Sequence, residues 1–170
     1  MRAASAIGAG VLALFLATAP FAGAGAQTKG ALTAAELQKA LADAGLSPSM
    51  MEDAASGEPV AKGMAGEFEF NVRAFDCKGR PLACETFMFF ATFSIGHSLT
   101  PNDLVILNRF NEKQVFGRAY FIEESGRVGV DYVVELEGGV TADHLSRNVA
   151  RWTDVMAAFV EHMRSGRDSS

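Results

Sequence analysis

The sequence predicts an α+β fold, an antiparallel five-stranded sheet with helices in the order α-β-β-β-α-β-β-α. Three observations carry this. Strand-like segments come in runs, three and then two, which argues for adjacent antiparallel pairing rather than a doubly wound parallel sheet. A hairpin turn stands within each run, at Lys78-Gly79-Arg80-Pro81 and at Glu124-Ser125-Gly126. Three helix starts are marked by capping threonines, Thr33, Thr100 and Thr141.

The first 26 residues stand apart from this plan. Arg2 is their single charge, and an apolar centre of Val11, Leu12, Leu14, Phe15 and Leu16 leads through Pro20 to the small residues Ala24-Gly25-Ala26. This is the pattern of a secretory signal peptide, residues 1–26, cleaved before Gln27. Glycines, Thr18 and Pro20 dilute the stretch below what a membrane-spanning helix needs. The expected layout is therefore a signal peptide at 1–26, an N-terminal tail at 27–32, one domain at 33–164 and a flexible tail at 165–170. The expected location is the periplasm or the exterior, with no stable membrane insertion after cleavage.

Beyond residue 26 the chain carries 14 Lys and Arg against 20 Asp and Glu, a net charge of −6. An acidic chain without a basic run excludes nucleic acid as the expected partner. Two cysteines remain, Cys77 and Cys84. An even number in an exported chain predicts a disulfide, and two cysteines allow one intramolecular pairing. They flank the first hairpin turn, where opposed residues of antiparallel strands come within reach of each other.

Taken in order, the first helix follows Thr33, with Glu36 as capping-box acid, Leu32 and Leu37 as hydrophobic staple, and Gly45 as stop. A short strand is expected over 58–62. Residues 67–74 alternate, with Phe68, Phe70, Val72 and Ala74 on one face. Residues 85–95 are apolar on both faces: Phe87, Phe89, Phe93 and Ile95 on one, Met88 and Phe90 on the other. Such a strand belongs in the centre of a sheet and is expected to be buried on both sides. The second helix opens at Thr100 with Pro101 at its first position and Asp103 as box acid. Strands follow over 115–122 and 128–136, the latter with Val128, Val130, Tyr132, Val134 and Leu136 inward. The last helix follows Thr141 and repeats Leu145, Val149, Trp152, Met156, Phe159 and Met163 at helical spacing, so Trp152 is expected in the core.

Chemistry-bearing patterns are sparse. His144 and His162 lie on one helix about 27 Å apart, too far to share a metal. His97 has no carboxylate or thiol adjacent in sequence, and no HxxxH, HExxH or CxxC occurs, so neither a metal nor a cofactor is expected. Gly138-Gly139 before a helix start could cradle an anion, but they read more simply as a tight turn into a capped helix. Asp131 falls on the polar face of its strand, where a solvated carboxylate is the default. A G-x-S-x-G elbow is absent, and no residue is assigned a catalytic role.

The stretches Asn108-Arg109-Phe110-Asn111, Arg118-Ala119-Tyr120, Val130-Asp131-Tyr132 and Gly138-Gly139-Val140-Thr141, followed by Trp152 and Phe159, resemble the YbjN family over residues 33–163. The chain departs from the family pattern at Phe110, where a Trp is expected; another large aromatic preserves the packing. The resemblance implies a fold similar to type III secretion chaperones and a role as a regulator of sensory transduction. It transfers no catalytic residue. Asn108 and Asn111 are expected to bracket a helix end and bond backbone groups there. Together these readings favour a non-enzymatic periplasmic binding or regulatory module. It would recognise a protein or peptide segment, or a second copy of itself, through a sheet face or edge. The alternative is a small ligand carrier or enzyme with a pocket between helices and sheet.

Overall fold

The computed structural model describes residues 27–168. The expected signal peptide falls on residues 1–26 and lies outside them. The elements run β1 (Thr28–Lys29), β2 (Leu32–Thr33), α1 (Ala34–Asp43), β3 (Ser49–Glu52), β4 (Pro59–Ala65), β5 (Phe68–Lys78), β6 (Ala83–Ser94), α2 (Pro101–Lys113), β7 (Arg118–Ile122), β8 (Arg127–Glu135), β9 (Val140–Thr141) and α3 (Ala142–Asp168).

All three helix starts form as the capping chemistry dictates. The Thr33 hydroxyl accepts the Glu36 N–H, while the Glu36 carboxylate accepts the Thr33 N–H at 2.9 Å. Thr100 and Asp103 repeat this box at the start of α2. At α3 the Thr141 hydroxyl accepts the His144 N–H at 3.1 Å. The last helix continues through Asp168, beyond the point where a flexible tail was expected.

The main sheet is antiparallel with the order β3-β4-β5-β6-β8-β7, and β2 pairs with β6 beyond the end of β8. Seven strands therefore replace the expected five. The additional ones, β2 and β3, are two and four residues long. Nothing in Ser-Met-Met-Glu alternates, and only the neighbouring β4 makes it a strand. The segment before α1 is not a free tail either, because β1 and β9 form a two-stranded ribbon with Thr28 opposite Thr141.

β6 is central, as its double apolar pattern predicts, but it is not buried on both faces. Phe87, Phe89 and Ala91 face the helices and are buried; Met88 and Phe90, on the other side, are half-buried. α3 supplies the cover on the helix side. Trp152 is 0 % exposed and packs on Phe70 and Phe89, with ring centroids 6.0 and 5.9 Å away. Phe159 packs on Phe93 and Phe110. Among the described residues, Trp152 Nε1 is a buried polar atom without a hydrogen-bond partner.

Candidate functional site

All three helices lie on the Phe70–Phe89 side of the sheet, so its other face is left without a helix among the described residues. Register builds this face row by row. Val60, Arg73, Met88 and Val133 are successive neighbours across β4, β5, β6 and β8. The next row is Lys62, Asn71, Phe90, Asp131 and Arg118. Phe75 lies opposite Thr86, and Tyr120 opposite Gly129. Val133 is 47 % exposed, while Val60, Phe75, Phe90 and Tyr120 are half-buried.

Polar chemistry on this face is concentrated at Asp131. The strand alternation placed it correctly, but it is not the solvated carboxylate expected of that position: it is 5 % exposed and holds Arg118 Nη2 at 2.5 Å. The guanidinium also sits 5.7 Å from the Tyr120 ring centroid. Tyr120 lies flat over Gly129, where a Cβ would stand 2.6 Å from the ring. Burial pushes the Tyr120 hydroxyl up from its ordinary pKa, and the nearby Asp131 charge adds to this. The Asp131 hydrogen bond, and then its charge, raise Arg118. The face is thus apolar at its middle and nearly charge-balanced, with Lys62 paired to Glu69 and Arg73 to Asp53.

The other singled-out residues scatter over the molecule rather than converging. Cys77 and Cys84 are opposed in register and joined by a disulfide beside the turn of the β5–β6 hairpin. Gly138 and Gly139 have φ of 78° and 89° and turn the chain from β8 into β9, with the Gly139 N–H bonded to the Leu136 carbonyl. Phe110 is fully buried against Phe159 and His162.

Asn108 and Asn111 both lie inside α2 rather than bracketing its end. Asn108 is exposed, and nothing in the structure explains it. Asn111 reaches across to β7: its Oδ1 accepts the Ala119 N–H at 2.7 Å and its Nδ2 donates to the Ala119 carbonyl at 3.0 Å.

Two groupings escaped the sequence. His97 has a carboxylate after all, because the chain entering α2 folds Nε2 to 3.0 Å from Asp103. Burial pushes the Asp103 carboxyl up, but the Thr100 hydroxyl, the Thr100 N–H and His97 outweigh it and hold the group below its ordinary range. The capping box already marked Asp103 as inward-turned, which was the available signal. The second grouping is buried Asn148, bonded to the Tyr132 hydroxyl and to Arg151, which in turn stacks 4.1 Å from the Phe116 ring centroid. Among the described residues, no three His, Cys, Asp or Glu side chains gather as a metal-holding group, and no helix is long and apolar enough to cross a membrane. A cavity of about 280 Å³ lies at the rim, between α1 and the start of α3, lined by Lys29, Leu32, Ala40, Leu136 and Leu145.

A family model described as "Putative bacterial sensory transduction regulator" matches residues 33–165, more than half of the chain. The chain belongs to the YbjN family. The crystal structure of YbjN from E. coli, titled a "putative transcription regulator", is similar in fold, with a TM-score of 0.54 at 14 % sequence identity over 79 % of this chain and 92 % of that one. No curated protein matches the chain. The YbjN fold thus accounts for the motif residues largely as framework: Phe110 and Trp152 fill the core, Asn111 ties α2 to β7, and the glycine pair turns β8 into α3.

Proposed function

We propose that the chain is a non-enzymatic, exported binding or regulatory module of the YbjN type that engages a protein partner through the uncovered face of its sheet. One observation carries this reading. Six large apolar side chains, Val60, Phe75, Met88, Phe90, Tyr120 and Val133, share a face on which no described helix packs. Monomeric soluble proteins rarely leave large apolar patches uncovered without a use for them. Export is supported by the leader pattern of residues 1–26 and agrees with the Cys77–Cys84 disulfide. The interior between helices and sheet is filled by Trp152, Phe70, Phe89 and Phe159, which favours a binding face over an internal pocket.

A photo-crosslinking residue placed at Phe90 tests the reading in the protein's own cells, against a control at exposed Lys39 on α1. The expected result is an adduct of higher mass from position 90 and none from position 39. No adduct from position 90, or equal adducts from both, overturns it. Intact mass of the native protein checks export, with loss of residues 1–26 expected.

A further inference from the structure

The two outer edges of the main sheet are finished differently. At β7 the Asn111 carboxamide takes both the N–H and the C=O of Ala119, as a neighbouring strand would. At β3, among the described residues, nothing pairs with the outer side.

The ladder fixes which β3 groups are free. The Asp53 N–H donates to the Glu58 carbonyl at 2.9 Å, and the opposed pairs then step along as Glu52–Pro59, Met51–Val60, Met50–Ala61 and Ser49–Lys62. Bonded and non-bonded pairs alternate in an antiparallel ladder. Ser49 and Met51 therefore bond β4, while Met50 and Glu52 turn N–H and C=O outward. Pro59, which has no N–H, falls at a non-bonded position, as this phase requires. Beside the edge runs a groove of about 520 Å³ lined by Met50, Met51, Pro59, Ala35 and Leu82, in which Glu52 is the one charged lining residue.

We propose that β3 accepts an extended segment of a partner protein, in which an apolar residue and a Lys or Arg stand two positions apart. Backbone pairing to Met50 and Glu52 holds such a segment. Period-two alternation turns the residue opposite Met50 toward the groove, where the flexible thioether adapts to different apolar side chains. The residue opposite Glu52 lies on the same side and meets an exposed carboxylate, so a cation is selected. A second copy of this chain fits less well, because Ser-Met-Met-Glu brings no cation to Glu52. The inference rests on the reading of the chain as a protein-binding module, but uses a surface separate from the open face.

Labelled pentapeptides acetyl-Thr-Lys-Thr-Leu-Thr-amide and acetyl-Thr-Leu-Thr-Lys-Thr-amide, titrated into the protein purified from its own cells, test the inference. At least one is expected to bind. N-methylation of the paired amides, those of Lys and Leu in the first peptide, which runs antiparallel to β3, or those of the third and fifth residues in the second, which runs parallel, should weaken binding at least tenfold. Met50→Pro, which removes the outward N–H and with it a thioether that lines the groove and packs partly on the core, should do the same in a protein that still unfolds cooperatively. Glu52→Lys should weaken it at least fivefold, and Glu in place of Lys in the peptide should restore it. Phe90→Thr should leave binding unchanged, so a failure here leaves the open-face reading standing. The proposal is overturned if neither peptide binds, if N-methylated peptide binds equally well, or if β3 instead pairs a second copy whose dimer Met50→Pro dissociates.

Discussion

Phe89 and Phe90 are consecutive on the same strand and meet opposite fates. Phe89 is 1 % exposed, between Trp152 and Phe70, while Phe90 lies between Asn71 and Asp131 on a face that no described helix reaches. Side chains alternate across a strand, so one residue step carries the chain from its folding core to its candidate binding surface. Large apolar residues on β6 thus serve two ends. On the helix face they contribute stability through close packing; on the open face they contribute little to it and remain available to a partner.

This contrast can be broken first at Trp152. Trp152→Ala should cost about 3–5 kcal/mol in urea unfolding, as emptying a packed aromatic site does; a cost near zero would mean the helix face does not hold the fold together. Trp152→Phe should cost less than the lost volume suggests, because it also removes an unpartnered buried N–H. Next in size, Cys84→Ser should cost about 2.5 kcal/mol by chain-entropy arithmetic for so short a loop, and alkylation without reductant should leave both cysteines unmodified. Asn111→Ala should cost about 1–2 kcal/mol, since it frees two backbone groups of a buried residue on β7.

The remaining predictions sharpen the comparison. The hydrogen bond from Lys29, followed by that from the Thr33 N–H, lowers Glu36 from 4.5 to about 2. A carboxyl depressed in the folded state adds stability that is complete above its unfolded pKa and vanishes as pH falls through the folded one. Acid unfolding should therefore steepen between about pH 4.5 and 2, and Glu36→Gln should flatten that part of the profile without altering the open face. Smallest of all, Phe90→Thr should change stability by about 1 kcal/mol or less, because Thr keeps the strand preference. A much larger loss would mean that Phe90 belongs to the core after all.

Local chemistry was legible in the sequence, and long-range pairing was not. Thr33 with Glu36, Thr100 with Asp103, and Thr141 announce helix starts because each cap is completed within four residues. The inward set Val128, Val130, Tyr132 and Val134 was legible for the same reason, since alternation is a property of the strand alone. β3 was not, because Ser49–Glu52 becomes a strand only by lying against β4. Asp131 could be placed on a face but not given its partner, which depends on the β7–β8 register setting Arg118 opposite it. Asn111 misled for a related reason: an Asn near a helix end commonly serves that end, and only the packing of α2 on β7 shows that it serves another element.

The Asn111 carboxamide has a consequence for assembly. A sheet with two receptive edges is a bifunctional monomer: each molecule could add to the next, and head-to-tail addition without closure grows a filament. Occupying the Ala119 groups obstructs the start of one of the two functional ends. A strand added at β3 would then find no matching start at β7, so the proposed edge can be receptive without seeding a fibre.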